Sequence, residues 1–293
     1  MNELTTEEVC LALGYFDSVH LGHRNLIAAA KSYSESHGIA CAVATFSNNA
    51  YKLFNASGAQ VYTYKERCEL LEGLCDYVLP MRFDTRFKNL TAEQFLNMLV
   101  SKYNIKAMVC GYDYLFGACA KGDAQLLQNY CKEREIDCIV VPKFELDGER
   151  VSTTAVKTML EHGEIEKANA FLGNPYTLTG KVTRGRGAGR MFDIPTANVK
   201  VSPNKLLPKH GVYGGTCEVE GKIYDCAINI GGRPTFGLTR PVVEAMLKDF
   251  NDNIYDKEVK LRLYTMLRPI TKFETPVELS KQVHVDLKWR SKC

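Results

Sequence analysis

Apolar and polar positions follow two textures along the chain. In the first half, short apolar runs at 9–13, 39–46, 77–83, 105–110 and 138–141 have the length and make-up of buried strands. Between them, stretches such as 92–103 and 124–134 space their apolar residues at helical intervals. Strands alternating with helices predict a parallel sheet covered on its faces by helices. Ligands of such sheets collect at the carboxyl ends of the strands, so chemistry is expected in the loops that follow them. Residues 151–172 read as helical, with Ser152 as N-cap and Gly173 followed by Pro175 as the stop.

Past Tyr176 the pattern shortens. Segments 177–182, 211–219, 222–230 and 258–267 are rich in β-branched and aromatic residues and are broken by glycine turns. They predict an antiparallel barrel or sandwich. A closing amphipathic helix is expected over 276–288, with Leu279, Val283 and Leu287 on one stripe. The domain boundary is placed between 173 and 174, giving domains 1–173 and 174–293.

Composition adds mainly exclusions. The 293 residues, 45% hydrophobic and 24% charged, suit a globular chain of two domains. A net charge of +3 is too small to argue for nucleic acid or an anionic membrane as partner. No apolar run approaches the roughly 20 residues of a membrane span. The first ten residues carry acids where a signal peptide carries bases, so a cytoplasmic location is expected. The 11 cysteines include no C-x-x-C pair and read as free thiols packed as small hydrophobes. A homo-oligomer is compatible with all of this.

Two constellations carry candidate chemistry. Directly after the first strand, residues 14–23 read Gly-Tyr-Phe-Asp-Ser-Val-His-Leu-Gly-His and lead into a helix. Gly14 lets the chain turn sharply, and a helix N-terminus offers free N–H groups to a phosphate. His20 and His23, three residues apart, can face that phosphate together and steady the charge that builds on it. A lone histidine here would read as surface or cap polarity; the pair after a strand and turn favours function. Ser152, Thr153 and Thr154 at a second helix start, with Lys157 one turn on, form another phosphate cradle, although capping alone accounts for one or two of the hydroxyls.

In the β-rich half, Arg184, Arg186 and Arg190 interleave with Gly185, Gly187 and Gly189. Exposed amides and guanidinium groups suit polyphosphate, while a flexible hairpin is the plain alternative. Pro195-Thr196-Ala197-Asn198 follows. In an extended segment Thr196 and Asn198 point the same way, and their oxygens suit a magnesium ion bridged to nucleotide phosphates. Glu244 interrupts the apolar run 242–247, so it lies either on an exposed edge or beside an active site.

These stretches resemble one family throughout. Residues 14–23, 111–117 and 151–157 look like the adenylyltransferase module of bacterial bifunctional riboflavin kinase/FAD synthetases, and 180–198, 211–213, 227–236 and 243–250 look like its kinase module. The resemblance implies a Rossmann-like nucleotidyltransferase domain with a parallel sheet, then an antiparallel β-barrel riboflavin kinase domain with a terminal helix. It implies ATP-dependent conversion of riboflavin to FMN and of FMN to FAD, with Mg2+. Glu244 would be the general base of the kinase step, and His20 and His23 the catalytic pair of the adenylyl step. Gly14, Phe16, Asp17, Gly22, Ser152, Thr153, Thr154 and Lys157 would bind nucleotide in one module, and Gly185, Gly187, Gly189 and Arg190 in the other. Asp113, Phe116 and Arg268 would meet the flavin, and Thr196 and Asn198 the metal. The chain departs from the family pattern at Tyr15, Ser18, Lys157, residues 47–50, Asp193, Ile194 and Pro269. The changes at Tyr15 and residues 47–50 define the alternative of a kinase with a weakened adenylyl site. Other H-x-G-H nucleotidyltransferases lack a place for 195–198, and a non-catalytic flavin-binding regulator would not call for both sets of residues.

Overall fold

The computed structural model describes residues 6–54, 58–184, 196–231, 241–250 and 252–292. By its contacts the chain divides into two units, Met1–Thr153 and Thr154–Cys293.

Five strands form the sheet of the first unit: β1 (Glu8–Leu13), β2 (Ala40–Phe46), β3 (Tyr77–Met81), β4 (Asn104–Gly111) and β5 (Asp137–Val141). They lie in the order β3-β2-β1-β4-β5, and every neighbouring pair is parallel. Helices α1 (Leu21–His37), α2 (Tyr64–Leu71), α3 (Thr85–Lys88), α4 (Ala92–Lys102) and α5 (Ala124–Lys132) fill the connections, and a small hairpin pairs β6 (Glu145–Leu146) with β7 (Glu149–Arg150). Helix starts are marked in the sequence. Thr91 and Gln94 close a reciprocal capping box on α4, and Asp123 caps α5 through Leu126 N–H at 2.8 Å.

Both faces of this sheet are buried, which is why its strands read as unbroken apolar runs. Val9, Leu11 and Leu13 face Phe95, Leu96 and Leu99 of α4 and Leu127 of α5. Cys10 and Ala12 face Leu26, Ile27 and Ala30 of α1 and Leu71 of α2. The strand order reverses beside β1, whose neighbours are β2 and β4. Loops leaving β1 and β4 therefore part company there and open a crevice at the carboxyl ends.

The second unit begins with α6 (Thr153–His162, from its second residue) and α7 (Ile165–Leu172), broken at Gly163, whose φ of +81° suits glycine. Six strands follow: β8 (Tyr176–Thr183), β9 (Thr196–Val201), β10 (Gly211–Val219), β11 (Lys222–Gly231), β12 (Val242–Leu247) and β13 (Glu258–Arg268). They close into an antiparallel barrel in the order β10-β11-β12-β9-β8-β13. Ala197, Val199, Tyr213, Ile228, Ile230, Val243 and Ala245 are buried and form much of its filling.

Alternate positions face outward, and α8 (Pro276–Asp286) covers part of them. Val283 packs there with Val212, Ala227 and Met246, and Leu287 joins them. Leu279 does not share that contact and stays 40% exposed. Steps of four residues drift about 40° around a helix, so seating Val283 and Leu287 turns Leu279 aside. Among the described residues no helix is long and apolar enough to cross a membrane, and the ten described cysteines are free thiols.

Candidate active sites

The loop between β1 and α1 is tightly wound. Phe16 and Val19 take φ of +53° and +43°, a left-handed conformation that is costly for a bulky or β-branched side chain, and both are fully buried. A Cβ on Gly14 would meet the Phe16 ring at 2.8 Å, and one on Gly22 would press on the His20 ring at 3.2 Å. His20 caps α1: its Nδ1 accepts the His23 N–H at 3.0 Å. The two imidazoles stack with centroids 3.6 Å apart and planes 9° from parallel.

Burial pushes His20 down to about 4, and burial with the neighbouring His20 holds His23 well below the usual range. Both rings are therefore neutral at pH 7. Because the His20 Nδ1 is an acceptor, the neutral ring carries its proton on Nε2, free to donate to a ligand. The His23 Nδ1 is buried without a hydrogen-bond partner.

Beside this pair lies a cavity of about 700 Å³. Of the sequence-predicted residues, Gly14, Phe16, His23, Asp113 and Phe116 line it. Asp113 is half-exposed and ion-paired with Arg150, whose guanidinium also lies 5.3 Å from the centre of the Tyr112 ring. Asp17 is not among the lining residues. Its carboxylate is 1% exposed and accepts the Tyr51 O–H at 3.1 Å and the Val61 N–H at 3.3 Å, with Arg67 Nη1 at 3.8 Å. Ser18 Oγ lies 2.9 Å from Thr153 Oγ1, so Thr153 is tied to the histidine loop. Ser152 precedes that helix, Thr154 lies in its first turn, and Lys157 follows Thr153 by one turn on the same face.

Tyr15 and Ala50, two of the positions that depart from the family pattern, also line the cavity, whereas Tyr51, Phe87 and Phe95 were not singled out from the sequence. Phe83 and Phe87 stand with Phe46 in a mutually edge-on or tilted cluster, while Tyr15 and Tyr51 lie 5.1 Å apart. The fully buried Arg67 sits 5.0 Å from the Tyr15 ring centre and donates to the Tyr62 and Phe46 carbonyls. Aromatic residues just past strand ends were the available signal.

In the barrel, strand register gathers residues far apart in sequence. Arg268 lies opposite Val212, Val212 opposite Asn229, Asn229 opposite Glu244, Glu244 opposite Asn198, and Asn198 opposite Thr183. Directly opposed residues share a face, so this is one rung around the outside of the barrel. Glu244 is half-buried on a strand flanked on both sides, which disposes of the exposed-edge reading. Thr196 stands two residues from Asn198, on the same face. The set offers neutral oxygens and one carboxylate, the hard donors that magnesium takes alongside phosphate and water. Among the described residues no cluster of three or more histidine, cysteine or acidic side chains forms a metal site.

Arg268 is held by Asp286, which accepts its Nη2 at 2.9 Å and its Nε at 3.2 Å and also accepts Gln282 Nε2 at 2.9 Å. Gly185, Gly187, Gly189 and Arg190, with the rest of 185–195, lie outside the described residues, as does 232–240.

Two family profiles match the chain in succession, one described as FAD synthetase over residues 2–155 and one as riboflavin kinase over residues 172–293. A bifunctional riboflavin kinase/FMN adenylyltransferase of Bacillus subtilis (strain 168) is 32% identical over 283 residues, 94% of this chain and 89% of that one. One of Escherichia coli (strain K12) is also 32% identical, over 293 residues, covering 98% and 93%. A crystal structure described as a macrolide-efflux protein from Streptococcus pneumoniae superimposes with a TM-score of 0.88 at 27% identity, covering 97% of this chain and 94% of that one.

Proposed function

The chain belongs to the bifunctional riboflavin kinase/FMN adenylyltransferase family, converting riboflavin to FMN and FMN to FAD with ATP, and from that premise we propose how its residues divide the two reactions. With both halves matched, a chain confined to the kinase step is not favoured. Efflux, the role in the description of the Streptococcus pneumoniae structure, is not adopted, because both sets of residues suit phosphate chemistry.

In the adenylyl step an oxygen of the FMN phosphate attacks the α-phosphorus of ATP, and pyrophosphate leaves. No protein nucleophile is needed. Neutral His20 and His23 offer N–H donors to the α-phosphate as charge builds on it, and the N-terminus of α1 adds its amide dipoles. Gly14, Phe16, Asp17 and Gly22 hold the loop in shape, Asp17 from behind the cavity. Ser152, Thr153, Thr154 and Lys157 take the remaining phosphates, and Phe116 and Asp113 meet the flavin.

In the kinase step the 5′-hydroxyl of riboflavin attacks the γ-phosphorus of ATP, and ADP leaves. Glu244 accepts the hydroxyl proton. Thr196 and Asn198 hold magnesium, which when bound neutralises charge on the ATP phosphates. Gly185, Gly187, Gly189 and Arg190 contact those phosphates, and Arg268 supports the flavin side. Use of ATP suits a cytoplasmic location.

The observation that carries this division is that each unit collects its own polar constellation, His20 with His23 in one and Glu244 with Asn198 in the other. The test supplies riboflavin, ATP and magnesium and resolves FMN from FAD by chromatography. Replacing both histidines by alanine should let FMN accumulate without FAD. Glu244→Gln should lower kcat for FMN formation by about a hundredfold or more, while supplied FMN is still converted to FAD. Parallel loss of both activities in either folded variant would refute the division.

A further inference from the structure

Where β2 and β3 end, their pairing is continued by a side chain. The last backbone link is Ser47 N–H to the Met81 carbonyl at 2.8 Å. Beyond it, the Asn48 carboxamide takes over. Its Nδ2 donates to the Phe83 carbonyl at 2.7 Å, and its Oδ1 accepts the Phe83 N–H at 2.8 Å. One side chain thus satisfies both backbone groups of a residue that is itself 8% exposed. With its backbone fixed on both sides, the Phe83 ring is held 4.8 Å from Phe46, edge-on, and 5.5 Å from Phe87. All three rings line the cavity; Asn48 does not.

That wall is wide and apolar. Adenine is read by polar partners along its edge, which three phenyl rings do not supply, whereas the dimethylbenzene side of a flavin asks only for aromatic surface. We propose that Asn48 is a positioning residue for FMN adenylylation, holding the Phe46–Phe83–Phe87 wall in place to receive the flavin ring before FMN arrives. The inference rests on assigning this cavity to the adenylyl step. Removing the carboxamide takes both of these hydrogen bonds away from Phe83 behind an apolar wall, so the segment after β3 loses much of what holds it in place.

The experiment measures steady-state FAD formation at varied FMN and varied ATP, with riboflavin phosphorylation by the same preparation as the reference for a folded chain. Asn48→Ala should raise KM for FMN about tenfold, with kcat and KM for ATP within about twofold of the parent. Asn48→Asp keeps the acceptor for the Phe83 N–H and loses the donor. It should show a smaller rise, and it carries the test if the alanine variant is insoluble. Phe83→Leu should raise the same KM, and adding Asn48→Ala to it should have little further effect, because both changes act on one wall. An unchanged KM for FMN, a joint rise in both KM values, or additive effects in the double variant would overturn the proposal. Failure of the parent protein to form FAD would instead overturn the assignment of the cavity.

Discussion

His20 is neutral because of where its ring lies. Six per cent exposed and capping α1 through Nδ1, it takes a proton only near pH 4. In the unfolded chain the same ring protonates near the ordinary value of about 6.5. Between those values the unfolded state binds more protons, so acid favours unfolding and the stability contribution of the neutral ring is lost as pH falls through this window. The full difference is of order 3 kcal/mol, enough to matter against ordinary domain stability. An NMR titration of the ring should show His20 unchanged from pH 8 to about 5. A midpoint near 6.5 would mean that the ring is solvated and that the stacked pair does not hold as described. At this scale the sequence was informative: His20, His23 and Gly14 were all legible from a glycine, a turn and a helix start. Asp17 was not, because nothing in the motif distinguishes a carboxylate aimed at a ligand from one that braces Tyr51 and Val61.

Elements were legible where one period dominated. The five parallel strands follow from apolar runs, and α4 and α5 from helical apolar spacing. What stayed hidden depends on register, a relation between distant segments that no local pattern encodes. Asn229 meets Glu244 and Asn198 only because β11, β12 and β9 are adjacent and aligned as they are. The Phe46–Phe83 contact likewise needs β2 beside β3. Register makes a prediction for the barrel. Opposed residues on antiparallel strands have Cβ atoms about 5 Å apart, so a carboxylate at 229 would sit beside Glu244. Like charges directly opposed repel, and a second carboxylate there would also repel the ATP phosphates. Asn229→Asp should therefore lower kcat for FMN formation by about tenfold, whereas Asn229→Ala should change it by less than about threefold. An unchanged kcat in the aspartate variant would separate the rung from the kinase step.

On the scale of the whole chain, the question is what the barrel needs in order to stand alone. A boundary between 173 and 174 leaves it without α6 and α7. Yet Ile165, Ala168, Phe171 and Leu172 of α7 are buried, and this helix packs on β8 and β13. Its Asn169 side chain donates to the Leu263 carbonyl at 2.9 Å and accepts the Tyr176 N–H at 2.7 Å, joining both strands. The end of α6 is tied to the loop before β10, with Lys209 N–H on the Leu160 carbonyl at 2.9 Å. Burying one large apolar side chain contributes about 1.5–3 kcal/mol, so losing Ile165, Phe171 and Leu172 together removes several kcal/mol. That is comparable to the whole stability of a small domain, about 5–15 kcal/mol. A fragment spanning 154–293 should fold and phosphorylate riboflavin, and one spanning 174–293 should melt lower by more than about 10 °C or fail to stay soluble. Thermal unfolding of the two fragments side by side decides the point. Equal melting temperatures would show that α7 merely rests on the barrel, and the shorter fragment would then be the autonomous kinase.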